Sequence, residues 1–216
     1  MPALFITFEG GEGAGKTTQI NKLATSLTQN GHKVVTTREP GGTPEAEKIR
    51  DCLVQREGGN WSPMAETLML FAARAMHVEK IITPALESGK IVICDRFTDS
   101  TRAYQGYGHG LDLDVIETLN TTVLHGLEPD LTFILDIPPA AGLDRSEKRL
   151  AAEALQIKQK EDKFENMDIA FHEKLHQGFL QIAKDNPDRC QILDASQAID
   201  TLAETILATA LERLGK

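Results

Sequence analysis

The sequence predicts an α/β fold, a doubly wound parallel sheet of five strands with helices on both faces. Three observations carry that expectation. Short apolar runs rich in β-branched and aromatic residues, each bounded by turn residues, read as strands covered on both faces. Helix-length segments alternate with them along the chain, the pattern of βαβ units. A glycine-rich stretch, FEGGEGAGKTTQ at residues 8–19, joins the first strand to the first helix.

Taken in order, the expected strands are Leu4–Phe8, Val34–Thr37, Ile91–Cys94 and Leu131–Leu135, with a weaker fifth at Gln191–Leu193. The first helix runs over Thr17–Gln29 and stops at Asn30-Gly31. Ser62-Pro63, a capping serine before a first-turn proline, opens a helix reaching towards Ser88-Gly89. Asp112–Leu124, Phe164–Ala183 and Ala198–Leu214 complete the alternation. The segment Asp144–Glu165 is dense in charge and poor in large apolar residues, and reads either as an exposed helix or as a mobile flap over a site. With 216 residues, no repeat and no low-complexity linker, residues 1–216 are expected to form a single domain.

Composition narrows the function. Hydrophobic residues at 41% and charged ones at 25% are ordinary globular usage, and a net charge of −9 argues against nucleic acid or an anionic membrane as a partner. The apolar run Ala3–Phe8 ends at Glu9, too short for a signal-peptide core, and no segment reaches the ~20 apolar residues of a membrane span. Cys52, Cys94 and Cys190 are odd in number and form no C-x-x-C, so they are expected reduced and mostly buried, in a cytoplasmic protein.

Gly10-Gly11-Glu12-Gly13-Ala14-Gly15-Lys16-Thr17 matches G-x-x-x-x-G-K-[ST] without a gap, between a strand and a helix as the motif requires. The glycines let successive N–H groups converge on an anion, and the helix N-terminus adds positive charge. Lys16 is expected on the β- and γ-phosphates of a nucleoside triphosphate, and Thr17 on Mg²⁺, with Thr18 beside it in the first turn. A GTP switch is disfavoured, because no D-x-x-G occurs and Asn21-Lys22 lacks the aspartate of a guanine reader. A transport-type ATPase is disfavoured by the absence of an L-S-G-G-Q-like signature. Phosphoryl transfer to a second small molecule remains. It demands a second anion site and exclusion of water.

Two strands end in arginine. Ile91–Cys94 runs into Asp95-Arg96 and Val34–Thr37 into Arg38. Ligands of open parallel sheets sit beyond the carboxyl ends of the strands, so these side chains face the same cleft as the phosphate loop. Asp95 is a candidate for holding Mg²⁺ through water, and Arg96 for bridging donor and acceptor phosphates with its planar fork.

The stretches Arg38-Glu39-Pro40-Gly41-Gly42-Thr43, Leu70-Phe71-Ala72-Ala73-Arg74, and Asp95-Arg96-Phe97-Thr98-Asp99-Ser100 with Tyr104-Gln105-Gly106 occur in this order behind the phosphate loop. Together they resemble thymidylate kinase, a P-loop nucleoside monophosphate kinase, over nearly the whole chain. The resemblance implies a P-loop kinase fold with a short lid, ATP and dTMP as substrates with Mg²⁺, and a homodimer formed through helices. A kinase for another pyrimidine monophosphate, or a P-loop protein that binds nucleotide without transfer, are the alternatives.

By the same resemblance Phe71 stacks on thymine and Arg74 donates to its O4, while Ser100 and Gln105 line the base and sugar region. Tyr104 lies under the deoxyribose, Arg38 and Arg96 take the acceptor phosphate, and Glu12 sits near the 3′-hydroxyl with Glu9 behind. A phenylalanine and a donor three residues later share one side of a helix, which agrees with that pairing. Lys16, Mg²⁺ and Arg96 flank the transferring group, and a further cation is expected from the lid. Gly13 stands where some members carry an arginine in the loop, so the lid, Asp144–Glu165, is expected to supply it. Its Asp162-Lys163-Phe164-Glu165 holds lysine where arginine is common, leaving Lys163, Arg145 and Arg149 as candidates, with Arg145 also placed against ATP.

His172-Glu173-Lys174-Leu175-His176 is an H-E-x-x-H, the zinc-hydrolase helix pattern. No G-x-x-H follows and no third ligand is evident. Phe171, Leu175 and Phe179 form an apolar stripe, so the histidines are expected beside it and partly solvated.

Overall fold

The computed structural model describes residues 3–55, 59–153 and 163–215. Its sheet has five parallel strands, β1 (Leu4–Glu9), β2 (Val34–Arg38), β3 (Ile91–Asp95), β4 (Leu131–Asp136) and β5 (Cys190–Asp194), in the order β2-β3-β1-β4-β5. β1 is central, and its neighbours lead to opposite edges, so the chain reverses direction across the sheet at β1. The loop after β1 therefore opens at the switch point where such sheets bind ligands. Each strand runs one residue past its expected end, and the added residues include Glu9, Arg38 and Asp95. β2 and β5 are partly exposed because they are the edges.

Period-two alternation divides β1 between two cores. Leu4, Ile6 and Phe8 pack with Ile20, Leu23 and Leu27 of α1 (Lys16–Gln29) and with Leu202, Ile206 and Ala210 of the last helix. Phe5 turns to the other face, against Val92, Cys94 and Phe97. Glu9 falls on that second face too, wholly enclosed.

Helix signals were richer than the expected elements. Thr43 caps α2 (Pro44–Val54), accepting the Ala46 N–H at 3.2 Å. α3 (Pro63–His77) starts at Ser62 as expected, and the run continues through a widened turn, Val78–Ile82, into α4 (Thr83–Glu87). Pro84 has no N–H to offer and crowds the carbonyl four residues back, which accounts for the widening. A short α5 (Thr98–Thr101) passes into a second wide turn, Arg102–Gly108, before α6 (Leu113–Leu124).

α7 (Pro139–Glu153) makes the first part of the charged segment helical, and residues 154–162 of the expected lid, Asp162 among them, lie outside the described residues. α8 (Ile169–Asp185) begins five residues later than expected, because Asp168 caps it through the Phe171 N–H at 2.7 Å while residues 163–166 form turns. α9 (Ile199–Leu214) closes the fold. Among the described residues no helix is long and apolar enough to cross a membrane. All three cysteines are free, and Cys52 is exposed because it lies on the outer side of α2.

Candidate active site

The phosphate loop bends where its glycines allow. Gly10, Gly13 and Gly15 hold φ of 130°, 66° and 89°, the left-handed region that side chains avoid. Gly13 also lies against the backbone of α7. A Cβ there would stand 2.0 Å from the Gly142 carbonyl oxygen, and one on Gly142 would stand 2.4 Å from that of Glu12. The chain thus lays α7 directly on the loop, which explains why an arginine has no room at position 13. Arg145 and Arg149, four residues apart, share one face of that helix and line the cleft.

Lys16 is buried, its ammonium donating to the carbonyls of Gly10 at 3.1 Å and Gly11 at 3.0 Å. Burial and then the nearby Arg96 push its pKa down. The Thr17 hydroxyl donates to Asp95 at 3.2 Å, so a hydroxyl and a carboxylate oxygen stand together where β3 meets the loop. Ala14 is buried, and Gly15 and Thr18 line the cleft beside them.

Arg96 holds φ of 70°, a costly conformation for a residue with a side chain, on the order of 1 kcal/mol or more. Its partners over-determine it. The guanidinium donates to the Gly10 carbonyl, Ser100 Oγ and Glu12 Oε1, each at 3.1 Å, and lies 4.9 Å over the Tyr104 ring. Glu12 also accepts from the Tyr104 hydroxyl. Burial works against its charge, but Arg96, Lys16 and that hydroxyl outweigh it and hold the carboxyl at about 2. Beneath them Glu9 accepts from the Phe97 N–H at 2.7 Å and from Ser100 Oγ at 2.5 Å. Burial, with Asp99 nearby, pushes the Glu9 carboxyl up to about 7.

At the other end of the cleft Arg38 is exposed and pairs with Glu47 at 3.0 Å. Arg74 is buried, donating from Nε to Glu39 at 2.7 Å and from Nη2 to the Phe97 carbonyl at 3.2 Å and Thr101 at 2.9 Å. Its Nη1 is buried with no hydrogen-bond partner among the described residues. Gln105 lines the wall and donates to Glu66 at 3.3 Å.

The sequence-predicted residues therefore gather in one cleft of about 650 Å³, from Lys16, Thr17 and Thr18 to Arg38, Arg74 and Gln105, with Asp95, Arg96, Ser100 and Tyr104 between. Three placements differ from expectation. Phe71 is buried behind the wall, with the Arg74 guanidinium 4.8 Å over its ring, and Leu70 lines the cleft in its place. Both positions share a side with residue 74, at i+3 and i+4 spacing, and periodicity alone does not choose between them. Lys163 is not at the phosphate loop but paired with the buried Glu66 at the Gln105 end. Glu66 is a buried carboxylate in the first turn of α3, and an unpaired buried charge is costly, so the ammonium has a partner there. His172 is buried rather than partly solvated, and His176 donates to or accepts from Asp136 at 2.6 Å. Among the described residues no group of three His, Cys, Asp or Glu side chains is placed to hold a metal.

Cleft residues that sequence reasoning missed include Glu39, Arg50, Leu70 and Phe164. The Glu39–Pro40 bond, just past the end of β2, is cis. Arg50, donating to the Pro40 carbonyl at 3.0 Å, sits on α2, and the Thr43-Pro44 cap was the signal that would have placed it on a helix beside Arg38.

A family model described as thymidylate kinase matches residues 8–206. Thymidylate kinases of Caulobacter vibrioides and Geotalea uraniireducens are 48% and 47% identical to this chain, each over 98% of it and over 97% and 98% of their own lengths. A crystal structure of thymidylate kinase from Ehrlichia chaffeensis superposes with a TM-score of 0.75 at 37% identity, covering 97% of this chain and 99% of that one. A phosphate loop facing an arginine-rich pocket across one cleft is thus carried by a sequence that follows these relatives from end to end, and the chain belongs to the thymidylate kinase family.

Proposed function

We propose that the protein transfers the γ-phosphate of ATP to dTMP, giving dTDP and ADP for dTTP synthesis. The observation that carries this reading is the single cleft in which the phosphate loop and Lys16 face Arg38, Arg74 and Gln105, with Arg96 between the two ends.

The loop amides and Lys16 cradle the donor phosphates, and Arg145 borders the nucleoside end, where it donates to the Ala195 carbonyl at 3.0 Å. Thr17 and Asp95 offer the hard oxygen donors that would hold Mg²⁺, which would supply positive charge to the donor phosphates. Arg96 and Arg38 bind the acceptor phosphate. Arg96 is pre-aimed by its fixed backbone and three hydrogen bonds, so little reorganisation is left for the reaction itself. The Glu12–Tyr104 pair closes the sugar site, and Arg74 Nη1 meets the pyrimidine O4, a lone pair where cytosine would present an amine. Leu70 supplies the apolar face of the base site. Arg149, carried into the cleft on α7, is the lid cation, and Lys163 serves the base end. The lid, residues 144–165, excludes water. The chain works as one domain, in the cytoplasm, as a homodimer.

A coupled assay with MgATP and dTMP, dUMP, dCMP or UMP tests this. We expect dTMP to be the best acceptor, with dUMP behind it, since a methyl group in an apolar pocket is worth only ~1–3 kcal/mol. Turnover of none of the four, or a preference for a cytosine nucleotide, would refute the assignment.

A further inference from the structure

Behind the base end of the cleft runs a chain of buried polar groups to which no role has been given. Arg74 spends Nε and Nη2 on the protein and keeps Nη1 free of partners among the described residues. Of the groups that hold it, the carboxylate on Nε, Glu39, is gripped in turn by another side chain. Burial resists charge on Glu39, yet Arg74 and His77 lower its pKa, so it is an ionised acceptor. An ionised carboxylate only accepts. His77 Nδ1, 3.0 Å from Oε1, must then be the donor. The ring is wholly enclosed, its Nε2 is 2.6 Å from Thr37 Oγ1, and a Cβ on Gly42 would stand 2.5 Å from its Cδ2. One imidazole thus touches the end of β2 and the loop following Arg38, and grips the carboxylate that aims Arg74.

We propose that His77 is a positioning residue for base selection: through Nδ1 it orients Glu39, and Glu39 orients the Arg74 guanidinium so that Nη1 faces the pyrimidine. The proposal rests on reading Arg74 as the group that meets the base. Without the Nδ1 bond one oxygen of a buried carboxylate loses its donor, and the carboxylate holds Nε less firmly, leaving the guanidinium on its Nη2 bonds alone.

Two substitutions of similar size separate this from mere packing. His77→Asn places an amide nitrogen where Nδ1 stands and keeps the Glu39 bond. His77→Gln reaches the Nε2 position and keeps only the Thr37 contact. We expect His77→Gln to raise KM for dTMP about tenfold and to erode the preference for dTMP over dCMP by a similar factor, with kcat and KM for ATP within about twofold. We expect His77→Asn to stay within about threefold of the wild type on all of these. If the two variants behave alike, or if KM for ATP moves with that for dTMP, the proposal is overturned. The wild type is the control on the underlying reading: equal use of dCMP and dTMP would remove Arg74 as the base reader, whatever the variants do. Should a variant not fold, imidazole ¹⁵N spectra of the wild-type protein decide. A proton on Nδ1 of His77, with a shift on adding dTMP but not ADP, supports the proposal, and a ring protonated at Nε2 alone overturns it.

Discussion

Glu9 shows how a single side chain can carry a pH dependence. It ends β1 on the face covered by α5, accepts two hydrogen bonds there, and is still pushed up to about 7, because burial and the neighbouring Asp99 outweigh the Phe97 N–H, Ser100 and Arg96. Below about pH 4.5 the group is protonated folded or unfolded. Between about 4.5 and 7 the unfolded chain ionises while the folded one keeps its proton, so the contribution of Glu9 to stability falls as pH rises through that window and is gone above it. The loss amounts to on the order of 3 kcal/mol. Urea unfolding of the wild type and of Glu9→Gln at pH 5 and pH 8 checks it. The variant is expected to gain on the wild type by roughly that amount at the higher pH, and a pH-independent difference would refute it.

At the scale of elements, α7 and the turn at residues 163–166 divide the work expected of one cation. The close approach of Gly13 and Gly142 docks α7 on the phosphate loop, with Arg145 beside Gly13 and Arg149 lining the same cleft, where we propose that it meets the donor. Lys163 instead joins Glu66 of α3, beside Gln105. Arg149→Ala is therefore expected to lower kcat by about 10²-fold or more, the scale of removing one charge-stabilising group, with KM for dTMP little changed. Lys163→Ala is expected to raise KM for dTMP several-fold and to spare kcat. Steady-state kinetics with each substrate varied in turn separate the two, and the reverse pattern would return the phosphoryl cation to Lys163.

The elements also show what was readable from residues alone. The Ser62 cap, the Asn30-Gly31 stop and the apolar strands announced themselves through local chemistry. α2 showed only its Thr43-Pro44 cap, and α7 left an exposed helix and a flap both open, because both are short of apolar residues and bury little, and their place is set by what they pack against. Phe164 illustrates the same limit. It looked like the start of a helix, but its ring stands edge-on to Tyr104 at 5.1 Å, a contact that only the folded chain provides.

Across the whole molecule, a buried ionic network ties the site to the far edge of the sheet. Asp99 is enclosed and pairs with Arg189 at 2.6 Å, ahead of β5, and with Arg102 at 2.8 Å, which in turn meets Glu117 of α6 at 2.6 Å. Burial opposes the charge on Asp99, but the two guanidinium groups keep its pKa low. The helix so anchored carries Ser100, which positions Arg96. Removing one partner strands the others, so Asp99→Ala is expected to cost about 3–5 kcal/mol in urea unfolding. A loss below about 1 kcal/mol would show that the network is not structural.

The sequence by itself determined the parallel α/β architecture, the phosphate loop, and the set of arginines that line the cleft, because these depend on local rules: glycine conformations, strand hydrophobicity, and the convergence of strand ends on one edge. Tertiary structure decided that Leu70 and not Phe71 lines the cleft, that Lys163 goes to Glu66, and that Glu39 and His77 stand behind Arg74. Those outcomes turn on which of several nearby partners a side chain reaches once helices and strands distant in sequence are packed together, and no spacing along the chain encodes that distance.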